Sequence, residues 1–224
     1  LEFRKVNHPT LYPFLGENIA EKYPLRTYAN DIFWSCLLYF FDIYFYRCII
    51  QTGLDMNLKS DRLLIGHFKR ADLQEWFLIE RDPSVRKYIL DGSVLNEEQS
   101  LAYIEQNIAS YAKFNFGRYA LRDKKSLRLI GMCGFLNTDM GIDFGYRLSK
   151  DRWGCGLGFE AASAVLAYGI KVIGLNHIVA GVMPENLASI KILERLDFIY
   201  QTDVIYERKT YHKYMFSSNK TLGF

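Results

Sequence analysis

Paired cysteines are missing from this chain, and so are dense basic clusters and long apolar runs. Its four cysteines stand at positions 36, 48, 133 and 155, with no C-x-x-C pair among them. Zinc therefore has no ligand set in the sequence, and no metal site is expected. Thiols without a pairing pattern point to a reducing compartment, the cytoplasm. The net charge is only +3, and the main basic stretch, Arg122-Asp-Lys-Lys125, is short. Charge this mild gives no reason to expect a nucleic-acid partner.

The charge-free run Ile32 to Phe41 is closed at ten residues by Asp31 and Asp42. A spanning helix needs about 20 apolar residues, so no membrane span is expected. Extending the run to Ile50 adds Arg47 and would force charges into the bilayer. A signal peptide would carry its apolar core nearer the start, followed by a small-residue cleavage site, and neither is seen. Residues 1–55 still differ from the rest, with 13 of the 35 aromatic residues. They are expected to be an apolar extension that packs on the domain or on a partner chain. The alternative is a segment outside the functional protein, with Met56 well placed as its first residue. Over the whole chain half of the residues are apolar and 24% are charged, a globular proportion, and residues 56–224 are expected to be one domain of ordinary size.

Two familiar phosphate motifs are absent as well. No Lys-Ser/Thr pair follows a glycine loop, and no G-x-G-x-x-G register occurs at the one place where glycines cluster. What stands there is Arg147-Leu-Ser-Lys-Asp-Arg-Trp-Gly-Cys-Gly-Leu-Gly-Phe-Glu-Ala161. Gly154, Gly156 and Gly158 alternate between a strand-like run, Ile142 to Leu148, and a helix-like run, Leu157 to Ile170. Glycines let backbone amides approach a ligand closely, and the first turn of a helix leaves N–H groups unpaired. Together they suit an anion, phosphate above all.

The rest of the pattern gives strands at Leu63–Ile65, 116–122, 127–136, 142–148, 177–182, 199–202 and 211–216. Helices are expected at 71–79, from Asn96 through Tyr111, at the glycine loop and at 187–196. Strands, helix, strand, helix and strands again predict an α/β fold, a mixed sheet with helices on both faces.

Around the glycine loop stand Leu129-Ile-Gly-Met-Cys-Gly-Phe135, Asp143-Phe-Gly-Tyr-Arg-Leu148, His177-Ile-Val-Ala-Gly-Val182 and Pro184-Glu-Asn-Leu-Ala-Ser189 running on to Phe198. This ordered set resembles the GNAT family of acetyl-CoA-dependent N-acetyltransferases, over about residues 61 to 216. The most similar branch contains the ribosomal-protein N-terminal acetyltransferases. The resemblance implies a mainly antiparallel central sheet. It also implies acetyl transfer to an amine, a protein N-terminus or a small molecule, by direct attack in a ternary complex. Acetyl-CoA would be the cosubstrate. A non-catalytic acyl-CoA sensor, or a transferase using another acyl-CoA, stays open, as does a homodimer.

The family pattern assigns roles residue by residue. Amides of Cys155, Gly156, Leu157 and Gly158 would cradle the CoA pyrophosphate, and Tyr146, Arg147 and Leu148 would offer main-chain groups to the pantetheine arm. Trp153 stands where the family usually has Gln or Arg. Asn186 and Ser189 match the N-x-x-S signature; Asn186 would cap the helix, touch the cofactor or do both, and Ser189 would polarise the thioester or donate a proton. Asp197 stands where Gly is usual, in a left-handed cap that Asp tolerates. An ammonium group must lose a proton to attack, so a carboxylate base is needed. Asp143 holds the position of a frequent family Glu, and Glu207 is the alternative. Tyr200, Tyr206 and Tyr211 are further candidates for proton donor to the thiolate.

Overall fold

In the computed structural model, which describes residues 57–218, eight strands form one sheet in the order β1-β2-β3-β4-β5-β6-β8-β7. They are β1 (Leu58–Lys59), β2 (Leu63–Gly66), β3 (Arg118–Asp123), β4 (Leu129–Thr138), β5 (Gly141–Leu148), β6 (His177–Val182), β7 (Ile199–Tyr206) and β8 (Lys209–Ser217). Every neighbouring pair is antiparallel except β5 with β6. The expected mixed, mainly antiparallel sheet is present. The suggestion about residues 1–55 lies outside the described residues.

Two apolar layers sit on opposite faces of the sheet. On one, α1 (Leu73–Glu80), α2 (Pro83–Arg86) and α3 (Glu97–Phe114) bury Trp76, Ile79, Val85 and Ile104 against Phe68, Ala120, Leu129 and Met132. On the other, α4 (Leu157–Tyr168) and α5 (Leu187–Arg195) bury Leu157, Ala161, Ala162, Val165 and Leu193 against Phe135, Phe144, Leu148 and Ile178. Burying each large side chain contributes about 1.5–3 kcal/mol, so these layers fix which helices lie over which strands.

Local signals set most boundaries. The Asn96 side chain accepts from Gln99 N at 2.8 Å, and Gln99 Oε1 accepts from Asn96 N at 2.9 Å, a reciprocal cap that starts α3. Asp82 caps α2 with a single bond, accepting from Ser84 N, with Pro83 in the first turn. Asp197 adopts φ +61°, the left-handed cap expected of it. Several boundaries differ from the sequence expectation by a few residues. The helix expected at 71–79 opens with a 3-10 turn, Arg70–Asp72, before α1. The helix expected to reach Ile170 ends at Tyr168 and widens into a π-turn, Gly169–Ile173. Both C-terminal strands run several residues longer than expected, because each pairs with the other along almost its whole length.

Candidate active site

The parallel contact between β5 and β6 is short. Only Ile142↔Ile178 and Asp143↔Val179 are in register. Beyond Asp143 the strands part, while β5 stays paired to β4 as far as Leu148 and β6 stays paired to β8 along its whole length. Ser149 N donates to Ile130 O at 2.8 Å, so the odd residues 145, 147 and 149 turn their main chain toward β4. Tyr146 and Leu148 then present theirs to the open edge. Of the three residues expected to offer main-chain groups, Tyr146 and Leu148 lie on the free side and Arg147 on the paired side. The Leu148 carbonyl is taken by the indole N–H of Trp153 at 2.9 Å, which closes the strand onto the glycine loop.

At the end of this gap lies the start of α4. Gly154 and Gly156 have φ of +74° and +81°, in the left-handed region that glycine enters without strain. Gly156 is the N-cap, and the first intrahelical bond is Glu160 N to Gly156 O at 3.1 Å. The N–H groups of Leu157, Gly158 and Phe159 therefore have no helical acceptor. Gly158 has a separate reason to be glycine: a Cβ there would stand 3.1 Å from Ile192 Cδ1, where α4 packs on α5.

Asn186 and Ser189 come from the start of α5. The Asn186 side chain accepts from Ser189 N at 3.2 Å, so it caps the helix, and both residues line the cleft. Across the gap, the Tyr146 hydroxyl lies 2.9 Å from both Ser189 O and Ser189 Oγ. Burial pushes the Tyr146 phenol far above its ordinary value, against the Ser189 hydrogen bond. Tyr146 therefore holds its proton across the physiological range.

A cleft of about 750 Å³ opens on the α1–α3 side of the gap and continues to Ser189. Asp143 lies in it and pairs with Arg118, which comes from β3. Arg118 reaches it across two paired glycines, Gly134 and Gly145. A Cβ on Gly145 would stand 2.9 Å from Arg118 Nη1, so this glycine keeps a track open for the guanidinium, while a Cβ on Gly134 would meet the Gly117 carbonyl. Burial lifts the Asp143 carboxyl above its ordinary value, while Arg118 and the Gly181 amide pull it back. The Nε of Arg147 is buried without a hydrogen-bond partner among the described residues, and Arg147, Tyr103 and Tyr211 all line this cleft. Buried polar atoms in that state mark a place for a polar ligand or water. Arg147 is also paired with the buried Glu80, which holds Arg86 at 3.1 Å.

Glu207 sits exposed at the β7–β8 turn with φ +48°, outside the cleft lining. Tyr206 and Tyr211 line the cleft; Tyr200 does not, its hydroxyl donating to Asp203 at 3.1 Å. Arg118 and the Tyr146 hydroxyl were not singled out from sequence. Cys155 is exposed, with its thiol 3.2 Å from Arg152 O. No group of His, Cys, Asp and Glu able to hold a metal occurs among the described residues. Nor is any helix among them long and apolar enough to cross a membrane.

Comparison with known proteins gives the family and supports the fold. The acetyltransferase (GNAT) domain family matches residues 62–199. The uncharacterized N-acetyltransferase p20 of Bacillus licheniformis is 30% identical over 145 residues, covering 63% of this chain and 82% of that protein. A GNAT-family acetyltransferase structure from Bordetella pertussis superposes with TM-score 0.65 at 25% identity, over 72% of this chain and 99% of that one. The fold is also shared with a ribosomal L7/L12 α-N-protein acetyltransferase solved with coenzyme A, at TM-score 0.62 and 14% identity, over 70% and 95% of the two chains. This chain belongs to the GNAT acetyltransferases, and it is an acyltransferase. Acetyl-CoA is the donor typical of that family.

Proposed function

We propose that this enzyme transfers an acetyl group from acetyl-CoA to a primary amine by direct attack in a ternary complex. The observation that carries the reading is the parting of β5 from β6 beyond Asp143. It leaves one free strand edge that leads from the Tyr146–Ser189 pair to an amide-rich helix start. A long thioester donor has those needs in that order: a proton donor at the sulfur, main-chain partners along the arm, and an anion site for the pyrophosphate. The amides of Cys155, Gly156, Leu157 and Gly158 supply the last. Asn186 borders the arm while capping α5.

The amine approaches from the cleft side, where Asp143 accepts its proton directly or through a water. The amine nitrogen forms its bond to the acetyl carbon and the carbon–sulfur bond breaks. Tyr146 returns a proton to the departing sulfur, and Ser189 Oγ, 2.9 Å from the phenol oxygen, relays a proton from solvent water back to the phenolate, so both hydroxyls are restored. Asp143 is favoured over Glu207 as base because it lines the cleft and Glu207 does not. The free thiols Cys133 and Cys155 fit work in a reducing compartment such as the cytoplasm.

Tyr146→Phe and Ser189→Ala should each lower kcat by roughly tenfold to a thousandfold, with CoA affinity little changed. Thiol release across a panel of amines and peptides, with CoA calorimetry beside it, checks this. Full kcat in both variants would mean that water returns the proton. The same panel decides the acceptor. The protein N-terminus is our first choice, supported by the L7/L12 enzyme's likeness in fold and by the exposed apolar residues Leu90, Met140 and Tyr206 at the cleft. Turnover of small amines alone would reverse that choice.

We also propose that residues 1–55 take no part in the chemistry, since every site candidate follows Met56 and the family match begins at Arg62. A protein beginning at Met56 should keep the CoA affinity and kcat of the full chain. A folded, soluble truncation that no longer binds CoA refutes this boundary.

A further inference from the structure

The turn between β1 and β2 meets the glycine loop through one side chain. Arg62 Nε donates to Glu160 Oε2 at 2.7 Å, and Arg62 Nη1 donates to the Cys155 carbonyl at 2.9 Å. The third nitrogen, Nη2, has no hydrogen-bond partner among the described residues and lies 3.6 Å from where a Gly156 Cβ would stand. Glu160 also accepts from Arg62 N and from Ser60 Oγ, both at 2.7 Å. The turn itself is pinned from behind: Lys124 N donates to Arg62 O at 2.9 Å, and the Lys124 ammonium reaches the carbonyls of Ser60 and Asp61.

We infer that Arg62 is a positioning residue for the pyrophosphate loop, holding its amides toward the anion and neutralising Glu160 beside it. This rests on the CoA reading given above. Two physical consequences follow from the contacts. A carbonyl and an amide of one peptide unit point in opposite directions, so drawing the Cys155 carbonyl onto Arg62 turns the Gly156 N–H away from it. Glu160 is in the first turn of α4, where a carboxylate suits the helix dipole but repels a bound phosphate. Burial works to raise the Glu160 carboxyl, and the hydrogen bonds from Ser60 and Arg62 outweigh it, so it is held below the usual range and stays ionised. Arg62, with 51% of its side chain exposed, is the cation that cancels this charge on the loop side.

The test compares two ligands, CoA and acetyl-pantetheine, which has the thioester arm but no pyrophosphate. Calorimetry reads the first and NMR titration the second. Arg62→Gln should raise the Kd for CoA on the order of tenfold, ~1.4 kcal/mol, and leave that for acetyl-pantetheine nearly unchanged. Adding Glu160→Gln to it should recover part of the loss, because the uncompensated charge is gone. Ser60→Ala removes one bond of the clamp and should give a smaller loss for CoA alone; it serves if Arg62→Gln does not fold. Arg70→Gln breaks an exposed pair with Glu105 on α3 and should change neither affinity. An unchanged Kd for CoA in folded Arg62→Gln, or an equal loss for both ligands, overturns the proposal. A wild-type protein that binds CoA no better than acetyl-pantetheine overturns the pyrophosphate-loop reading itself, and this proposal with it.

Discussion

Asp143→Asn should lower turnover by roughly a hundredfold to ten-thousandfold while leaving CoA affinity close to wild type. Asp143 stands at the last paired residue before β5 and β6 part, and it lines the cleft from which the amine arrives. Its carboxyl is lifted above the ordinary value of about 3.9 by burial, against Arg118. A base works only when ionised, so wild-type turnover should rise with pH through that raised pKa. Asn has no such titration, and this rise should vanish. The amine's own ionisation gives a second rise at higher pH, common to all variants.

One confounding effect has to be separated. Removing Asp143 leaves Arg118 without its carboxylate, and the Arg118 side chain is only 9% exposed. Breaking a buried pair costs about 3–5 kcal/mol of stability. Here the loss should fall at or below the lower end, since the Asp143 side chain is 29% exposed and water reaches the pair. Arg118→Gln separates the two roles. It breaks the same pair but keeps the carboxylate, and it removes the charge that holds Asp143 down. Its pH–rate curve should keep the rising limb and shift it to higher pH. A folded Asp143→Asn with full kcat and an unchanged curve rules out Asp143 as the base. Glu207→Gln is then the variant to measure, despite its place at an exposed turn.

Local chemistry explains which parts of this site were legible in the sequence. The glycine loop was visible because Gly154 and Gly156 answer a local demand, a left-handed φ at each. The start of α3 was visible for the same reason, since Asn96 and Gln99 satisfy each other within four residues. Asp197 was read as a left-handed cap because it stands where the resembled family usually has Gly, and its φ is +61°. The parting of β5 from β6 was not visible, because it depends on how α4 and β6 return to the sheet. Arg118 lies 25 residues from its partner, and only strand register brings the two together. A signal for it did exist. Gly134 and Gly145 interrupt two strands at positions that face each other, and facing glycines leave room for something to cross the sheet. Reading that signal needs the register first. Tyr146 was named for its main chain alone, since nothing near it in sequence points to the Ser189 hydroxyl 43 positions away.

Gly156→Val should weaken CoA binding by more than tenfold, with a modest loss of stability. Gly156 has φ +81° and ψ 1°, and a β-branched residue there is strained by about 1–3 kcal/mol. No wall of the protein forbids the side chain: the nearest atom to its Cβ would be Arg62 Nη2 at an ordinary 3.6 Å. The loop is then free to relieve the strain by rotating its peptides, and rotation takes the amides off the anion site. The new methyl groups also stand where a phosphate would approach the backbone. Gly158→Val should behave in the opposite sense. Its Cβ would crowd Ile192 Cδ1 at 3.1 Å, where α4 meets α5, so the main effect is overpacking of about 1–3 kcal/mol. For a domain of this size each kcal/mol lowers Tm by about 2–4 °C. Calorimetry with CoA beside thermal unfolding separates the two glycines: affinity falls further than stability for Gly156, and stability further than affinity for Gly158. A folded Gly156→Val with wild-type CoA affinity would show that the loop does not hold the pyrophosphate.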